Sequence, residues 1–133
     1  MKIILTPQES EEIFHAALCN AESTGHMASY GLQLRWHEKS YKEAKERLKE
    51  RGEDVCQEDI LLEILRGGGH LTYFDIEGGG GEPWPINLQD VHEKVSNAPA
   101  RNILNFIKQQ DDAEDADVIL QTVFMAKSCS VNN

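Results

Sequence analysis

The stretch from Asp59 to Val95 constrains the fold more than any other part of this chain, because it passes from a helical pattern to a strand pattern and back. Apolar residues first recur at helical spacing, and a run of glycines then ends that helix. An aromatic and β-branched run, HLTYFDIE, predicts a strand, and four more glycines predict a chain reversal after it. The predicted elements are a helix at 60–65, a strand at 70–77, a glycine turn at 78–81 and a returning strand at 83–86.

The sheet predicted here has one apolar face and one edge. Alternation along its first strand puts Thr72, Phe74 and Ile76 on the same side, and we expect that side to face the core. The returning segment contains Pro83 and Pro85, which cannot donate hydrogen bonds to a sheet ladder. The returning segment is therefore predicted to be an edge strand, and the sheet is predicted to be the platform on which the flanking helices pack.

Both flanks of this stretch are mostly helical. Capping-box patterns predict that three of the helices begin after Thr6, Ser40 and Asn87. Apolar residues alternate with polar ones over 30–36, which predicts one further strand. The short apolar segment 1–5 is predicted to be either a first strand or a tail packed against the core.

These patterns together predict the α+β class. The expected architecture is a single domain over 1–133, in which a small antiparallel sheet is packed by about six helices. Its strands are expected near 30–36, 70–77 and 83–86, with 1–5 as a further candidate, and a frayed tail is expected at 126–133.

The charge of the chain narrows the class of partner. Its 133 residues carry a formal net charge of −10, which would repel nucleic acid and anionic lipid and attract a basic protein. No apolar run approaches the roughly 20 residues of a membrane span, so no membrane contact is expected. Cys19, Cys56 and Cys129 lack CxxC spacing and are odd in number, which predicts thiols in a reducing, cytoplasmic compartment. No cofactor is predicted, and the expected interaction is with a protein partner or a second copy of the chain.

An acidic run at 111–117 is the most suggestive cluster of chemical groups. Asp111, Asp112 and Asp115 could hold a divalent cation through oxygen ligands, and a hydrolase site built on them could also use His92. The run lacks the glycine and glutamate of an EF-hand loop. The same carboxylates are also expected at the start of a helix, where the helix dipole stabilises negative charge without any metal.

The glycine turn offers a candidate site of another kind. Trp84 is flanked by two prolines and follows the flexible glycines, which is a suitable way to display an aromatic anchor to a protein partner. Gly79, Gly80 and Glu82 would lie beside it in that site. The alternative is that Trp84 folds back and covers the sheet beside Phe74.

Three segments in order, HLTYFDIE, DVHEKV and DDAEDADVILQTVF, resemble uncharacterised small proteins carried by phages and other mobile elements of gut bacteria. The resemblance spans about Gly31 to Phe124 and implies a cytoplasmic accessory protein of a mobile element, with no established activity. With the absence of an HExxH or GxSxG spacing, it favours a non-enzymatic protein-binding function. A metal-dependent hydrolase and an acidic mimic of nucleic acid that captures a basic protein are the alternatives.

Overall fold

The computed structural model describes residues 3–24, 32–53, 55–75 and 84–124, and within these ranges it leaves the side chains of 21–24, 32–33, 73–75 and 84 undescribed. Six α-helices and a three-stranded sheet make up this part of the chain, which confirms the α+β class. In order, the elements are α1 Pro7–Thr24, β1 Leu32–Trp36, α2 Glu38–Glu50, α3 Gln57–Arg66, β2 Leu71–Asp75, β3 Trp84–Ile86, α4 Leu88–Lys94, α5 Ala100–Ile107 and α6 Ala113–Phe124, with a short 3₁₀ helix Val95–Asn97 between α4 and α5.

The sheet is antiparallel, with strand order β1-β2-β3. Leu71 of β2 pairs with Trp36 on one side and with Ile86 on the other. Pro85 lies opposite Thr72, and β3 stands at an edge of the sheet, as its prolines predict.

The face of the sheet that is turned to the core is not the predicted one. Leu71 is fully buried and Ile86 is 1% exposed, whereas Thr72 is only half-buried. The prediction counted apolar residues on each face of one strand, but the register decides the matter by placing Leu71 between Trp36 and Ile86. The side chains of Phe74 and Ile76 lie outside the described part of the structure.

Local hydrogen bonds explain where most helices begin and end. Thr6 and Glu9 form the predicted capping box at the start of α1, and Asn87 and Asp90 form the one at the start of α4. The box predicted at Ser40 is wrong, because α2 begins two residues earlier, at Glu38.

Glycines with left-handed backbones end two of the helices. Gly52 follows α2 at φ +72° and Gly68 follows α3 at φ +91°. After α3, the amide of Gly69 donates to the carbonyl of Ile64 at 2.9 Å, which closes a Schellman motif. The glycine stop at 67–69 is therefore confirmed.

The core is organised around α1 more than around the sheet. Phe14, Ala17 and Leu18 are fully buried, and α1 packs most extensively on α6 while also contacting α3, α4 and α5. The rings of Phe14 and Phe124 lie 6.1 Å apart between their centroids. The prediction that the sheet is the platform for the flanking helices is therefore wrong, because the helices pack mainly on one another.

The segment before α1 is not a strand in its described residues, 3–5. Ile3 and Leu5 pack partly against the core while Ile4 is 91% exposed, which matches the alternative of a packed tail. No helix in the described ranges is both long enough and apolar enough to cross a membrane.

Candidate functional site

Two of the three predicted metal ligands form the start of α6. The amide of Asp115 donates to Oδ1 of Asp112 at 2.9 Å, and the amide of Asp112 donates to Oδ2 of Asp115 at 3.1 Å. This is a reciprocal capping arrangement, in which each carboxylate satisfies a backbone donor that the helix geometry leaves without an acceptor.

Asp115 is also the centre of a buried amide cluster. It is 5% exposed and accepts hydrogen bonds from Nδ2 of Asn102 at 2.7 Å and from Nδ2 of Asn105 at 3.2 Å. Burial by itself would raise the pKa of Asp115, but these amides and Asp112 together bring that pKa below its ordinary value. The carboxylate is thus ionised and already well supplied with donors.

Asp111 points to a different neighbour, because its Oδ2 accepts a hydrogen bond from Nδ2 of Asn20 on α1. His92 instead lies 2.7 Å from a carboxylate oxygen of Glu11. Within the described residues, no three His, Cys, Asp or Glu side chains are placed to hold a metal ion together. The geometry therefore accounts for the acidic run as a helix start and does not favour the metal hypothesis.

The other predicted site falls mostly outside the described residues. Gly79, Gly80 and Glu82 are in the undescribed stretch 76–83, and only the backbone of Trp84 is described. That backbone belongs to β3 and pairs with Tyr73, so Trp84 begins an edge strand and pairs one residue away from the expected Phe74.

One open cavity with both apolar and charged walls is a groove between α1 and α5. We call it the α1–α5 groove, and its volume is about 380 Å³. Its apolar floor comes from Ile13 and Ala16 of α1 and from Phe106 and Ile107 of α5, and its rim comes from Glu9, Glu12, Gln109 and Asp111.

The groove exposes apolar surface that the sequence pattern assigned to the core. Ile103, Leu104, Phe106 and Ile107 recur at the spacing of one buried helical stripe, but Ile107 in the groove is 54% exposed, and Leu104, which lies outside it, is 39% exposed. Four apolar residues at 103, 104, 106 and 107 cover more of the helix than one neighbour can bury. That excess width is the signal in the sequence that could have revealed the groove.

The groove has a rigid wall and an acidic rim. The bond from Asn20 to Asp111 ties the turn before α6 to α1, and the amide cluster at Asp115 holds the same turn from the other side. Glu9 and Glu12 are exposed, Asp111 is half-buried, and no cationic side chain of the described residues lines the groove. The arrangement can receive a cationic, partly apolar segment.

A thiol, an imidazole and a carboxylate also meet on α1 and α3. Sγ of Cys19 lies 3.9 Å from Nδ1 of His15, one helical turn earlier, and Nε2 of His15 lies 2.7 Å from Asp59. Burial raises the pKa of Cys19 to about 11, and the nearby charges of Glu58, Asp59 and Cys56 add to that effect. A thiol with this pKa stays protonated at neutral pH, which does not favour a nucleophilic role.

Comparison with known proteins gives this chain no relatives. No protein-family model matches it, and no curated protein and no solved structure matches it either. The functional argument therefore rests on the geometry of the described residues.

Proposed function

We propose that this chain is a non-enzymatic, protein-binding protein whose α1–α5 groove takes a basic segment of a partner protein. The observation that supports this proposal is the pairing of an apolar floor with an acidic rim in one open groove. The occupant would place an apolar side chain on Ile13, Phe106 and Ile107 while its lysines or arginines face the rim.

Charge complementarity favours a basic partner. Glu12 and Asp111 both line the groove, and the whole chain carries a net charge of −10. Such a field speeds the encounter with a cationic segment and repels nucleic acid. Because each exposed charge pair contributes little affinity, we expect these charges to determine the specificity for a basic partner more than the strength of binding.

Burial of the apolar floor supplies most of the expected binding free energy. Ile107 is 54% exposed beside the nearly buried Phe106 and Ile13, so covering it removes apolar area from water. A cavity of about 380 Å³ lies at the small end of the range for ligand sites, about 300–1,000 Å³. It has room for an anchoring side chain rather than a large cofactor.

The proposal is tested by calorimetric titration with synthetic peptides. One peptide carries a central leucine between lysines and arginines, and a second replaces every lysine and arginine by glutamate. We expect saturable binding of the basic peptide alone. No binding of the basic peptide at millimolar concentration, or equal binding of both peptides, would contradict the proposal.

Matched variants separate the groove from general charge attraction. Ile107→Ser should weaken binding by about tenfold, since it removes roughly 1.4 kcal/mol of apolar contact. Leu104→Ser, on the same helix but outside the groove, is the control and should bind as the unmodified chain does. Glu12→Gln should slow association, whereas Glu43→Gln on α2 should not. If binding vanishes with salt and ignores Ile107→Ser, the chain is instead an acidic mimic of nucleic acid.

The biological setting is the remaining part of the proposal. We infer from the resemblance of HLTYFDIE, DVHEKV and DDAEDADVILQTVF that the protein is an accessory protein of a phage or another mobile element and acts in the cytoplasm. A basic host or phage protein would be its target in that setting. Affinity purification with either this chain or a chosen basic protein as the bait tests the interaction. Repeating it with Ile107→Ser and with Leu104→Ser tests whether that protein binds in the groove.

A further inference from the structure

The outer side of α5 continues the apolar surface of the α1–α5 groove. Four large apolar side chains are exposed within the described residues, and two of them lie on this helix, Leu104 at 39% and Ile107 at 54%. Because residues three positions apart are neighbours on a helix, these two side chains lie next to each other. Ile107 belongs to the groove, whereas Leu104 lies outside it. The exposed apolar surface of α5 therefore extends beyond the groove.

Two cationic residues flank Leu104 on the same side of α5. Arg101 lies one turn before it, and Lys108, which follows the helix with a helical backbone, lies one turn after it. All three side chains are exposed. In the part of the chain that the structure describes, neither cation forms a salt bridge. We call Arg101, Leu104 and Lys108 the basic stripe, an apolar residue between two positive charges.

The α1–α5 groove carries the complementary charge. Glu9, Glu12 and Asp111 each accept a hydrogen bond from an uncharged amide. Among the described residues, no cation forms a salt bridge with any of these three carboxylates. The proposed function requires an occupant with an apolar side chain between cations, and the basic stripe of a second copy of this chain has that composition.

We propose that the groove of one copy takes the basic stripe of a second copy, so that the chain forms a two-fold symmetric dimer through α5. Each copy presents one groove and one basic stripe, which adjoin at Ile107 and Leu104. Under a two-fold axis each groove meets the stripe of the other copy at the same time, and the assembly closes as a dimer. This inference rests on the proposed function, because it assigns an occupant to the same groove.

The contact is expected to be weak. α5 has eight residues and is about 12 Å long, so a dimer built on it buries little surface. Larger interfaces of standard size reach micromolar to picomolar affinity, so we expect a dissociation constant on the order of 0.1–1 mM. At the micromolar concentrations of a peptide titration, the groove is therefore open to another basic partner.

The net charge of −10 on each copy does not prevent this contact at physiological salt. Charges farther apart than about 8–10 Å are largely screened under those conditions. The carboxylates of the groove and the cations of the basic stripe would lie closer together than that, so their attraction persists. The charges at the interface therefore decide the outcome, and they are opposite in sign.

The test follows the mass of the full chain by sedimentation equilibrium, from micromolar to millimolar concentration at physiological salt. We expect a monomer–dimer equilibrium. Leu104→Ser and Ile107→Ser should each weaken dimerisation by about tenfold, since each removes an apolar contact twice in a two-fold dimer. Val55→Ser is the matched control, because Val55 is 38% exposed but lies between α2 and α3. This control should dimerise as the unmodified chain does.

Charge reversal tests whether the basic stripe meets the groove. Arg101→Glu and Glu12→Lys should each weaken dimerisation, because each places like charges together in both halves of the contact. An equimolar mixture of the two variants should form a heterodimer about tenfold tighter than the dimer of either variant alone. In that heterodimer the two reversed charges face each other, and so do the two unreversed charges. Lys42→Glu on α2 changes the net charge as Arg101→Glu does and should not weaken dimerisation.

Three results would overturn the inference. They are a chain that stays monomeric at millimolar concentration, a loss of dimerisation in Val55→Ser as large as in Leu104→Ser, and a mixture that is no tighter than its components. A chain that binds the basic peptide but stays monomeric contradicts this inference alone. A chain that neither binds the peptide nor dimerises contradicts the proposed function as well.

Discussion

Glu63 and Asp115 are the two carboxylates buried within the described residues, and their neighbours keep them ionised in different ways. Glu63 on α3 accepts from the guanidinium groups of Arg47 on α2 and of Arg51, the residue after α2, at 2.9 and 2.8 Å. Asp115 on α6 is as deeply buried, but its donors are uncharged amides of side chains and backbone. Burial tends to raise the pKa of each carboxyl, and in both cases the donors prevail and lower it.

The difference indicates which cluster should lose less stability when its carboxylate is replaced. Arg47 and Arg51 keep 39% and 42% of their side chains exposed, so they can turn to water if Glu63 loses its charge. Asn102 is 6% exposed, and its Oδ1 already has no hydrogen-bond partner among the described residues. Water therefore cannot replace a hydrogen bond that Asn102 loses in this cluster.

The two clusters differ in their relation to the α1–α5 groove. The Asp115 cluster fixes the turn that carries Gln109 and Asp111 into the rim of that groove. The Glu63 cluster fixes α2 against α3, and its three residues do not line the groove. Damage to the Asp115 cluster should therefore affect the groove more than damage to the Glu63 cluster does.

The largest effect is expected for Asp115→Asn. Asparagine keeps only one of the two acceptor oxygens, and its NH2 group would replace the other and face the Nδ2 donors or the amide of Asp112. At least one buried donor would therefore lose its acceptor. We expect the free energy of unfolding to fall by about 3 kcal/mol, measured by urea denaturation. Asp117→Asn on the same helix is the control, because Asp117 accepts only an exposed bond from Gln121, and its effect should stay within about 0.5 kcal/mol.

A smaller loss is expected for Glu63→Gln. The shape is kept, and the two arginines can be hydrated, so we expect the free energy of unfolding to fall by about 1.5 kcal/mol. Glu53→Gln removes an exposed partner of Arg51 and should cost less than about 0.5 kcal/mol. A greater loss for Glu63→Gln than for Asp115→Asn would contradict the conclusion that the Asp115 cluster is the less tolerant of the two.

Acid should act on both clusters in the same direction. A carboxyl whose pKa is lower in the folded chain than in the unfolded chain stabilises the fold above the unfolded pKa, and this contribution is lost as the pH falls through the folded pKa. The unmodified chain should therefore lose stability as the pH drops below the ordinary values of 4.5 for Glu63 and 3.8 for Asp115. Urea denaturation along a pH series should show a shallower fall for Asp115→Asn and for Glu63→Gln. Slopes parallel to that of the unmodified chain would show that these carboxyls do not carry the acid sensitivity.

Local features of this fold could be predicted from the sequence, and long-range ones could not. The caps at Thr6 and Asn87 depend on residues three positions apart, so the pattern is visible in the sequence and the prediction is confirmed. The same applies to the glycine that ends α3 and to the prolines that put β3 at an edge. In each case the deciding atoms belong to neighbours in the chain.

The sites depend on contacts that no local pattern carries. Asn102 meets Asp115 across the turn between two helices, and Arg35 lies opposite Thr72 through the register of two strands. Leu71 faces the core because of its partners on both sides, which alternation within one strand cannot reveal. The acidic run at 111–117 suggested a metal for the same reason, since its amide donors come from α5.

The smallest predicted effect concerns how the helices beside the two clusters end. On the Glu63 side, the chain leaves α2 and α3 through Gly52 and Gly68, whereas on the Asp115 side it leaves α5 through Gln109, whose φ of +58° is left-handed. That conformation costs a residue with a Cβ atom roughly 1–2 kcal/mol. Glycine in its place removes this cost but also increases the conformational entropy of the unfolded chain, which offsets part of the gain. We therefore expect Gln109→Gly to raise the free energy of unfolding by about 0.5–1 kcal/mol. Gly68→Ala is the reciprocal change: a Cβ there meets nothing within 4 Å, so its expected loss of about 1 kcal/mol comes from backbone strain alone. If Gln109→Gly destabilises the chain instead, the Gln109 side chain contributes contacts at the groove rim that exceed the strain of its backbone.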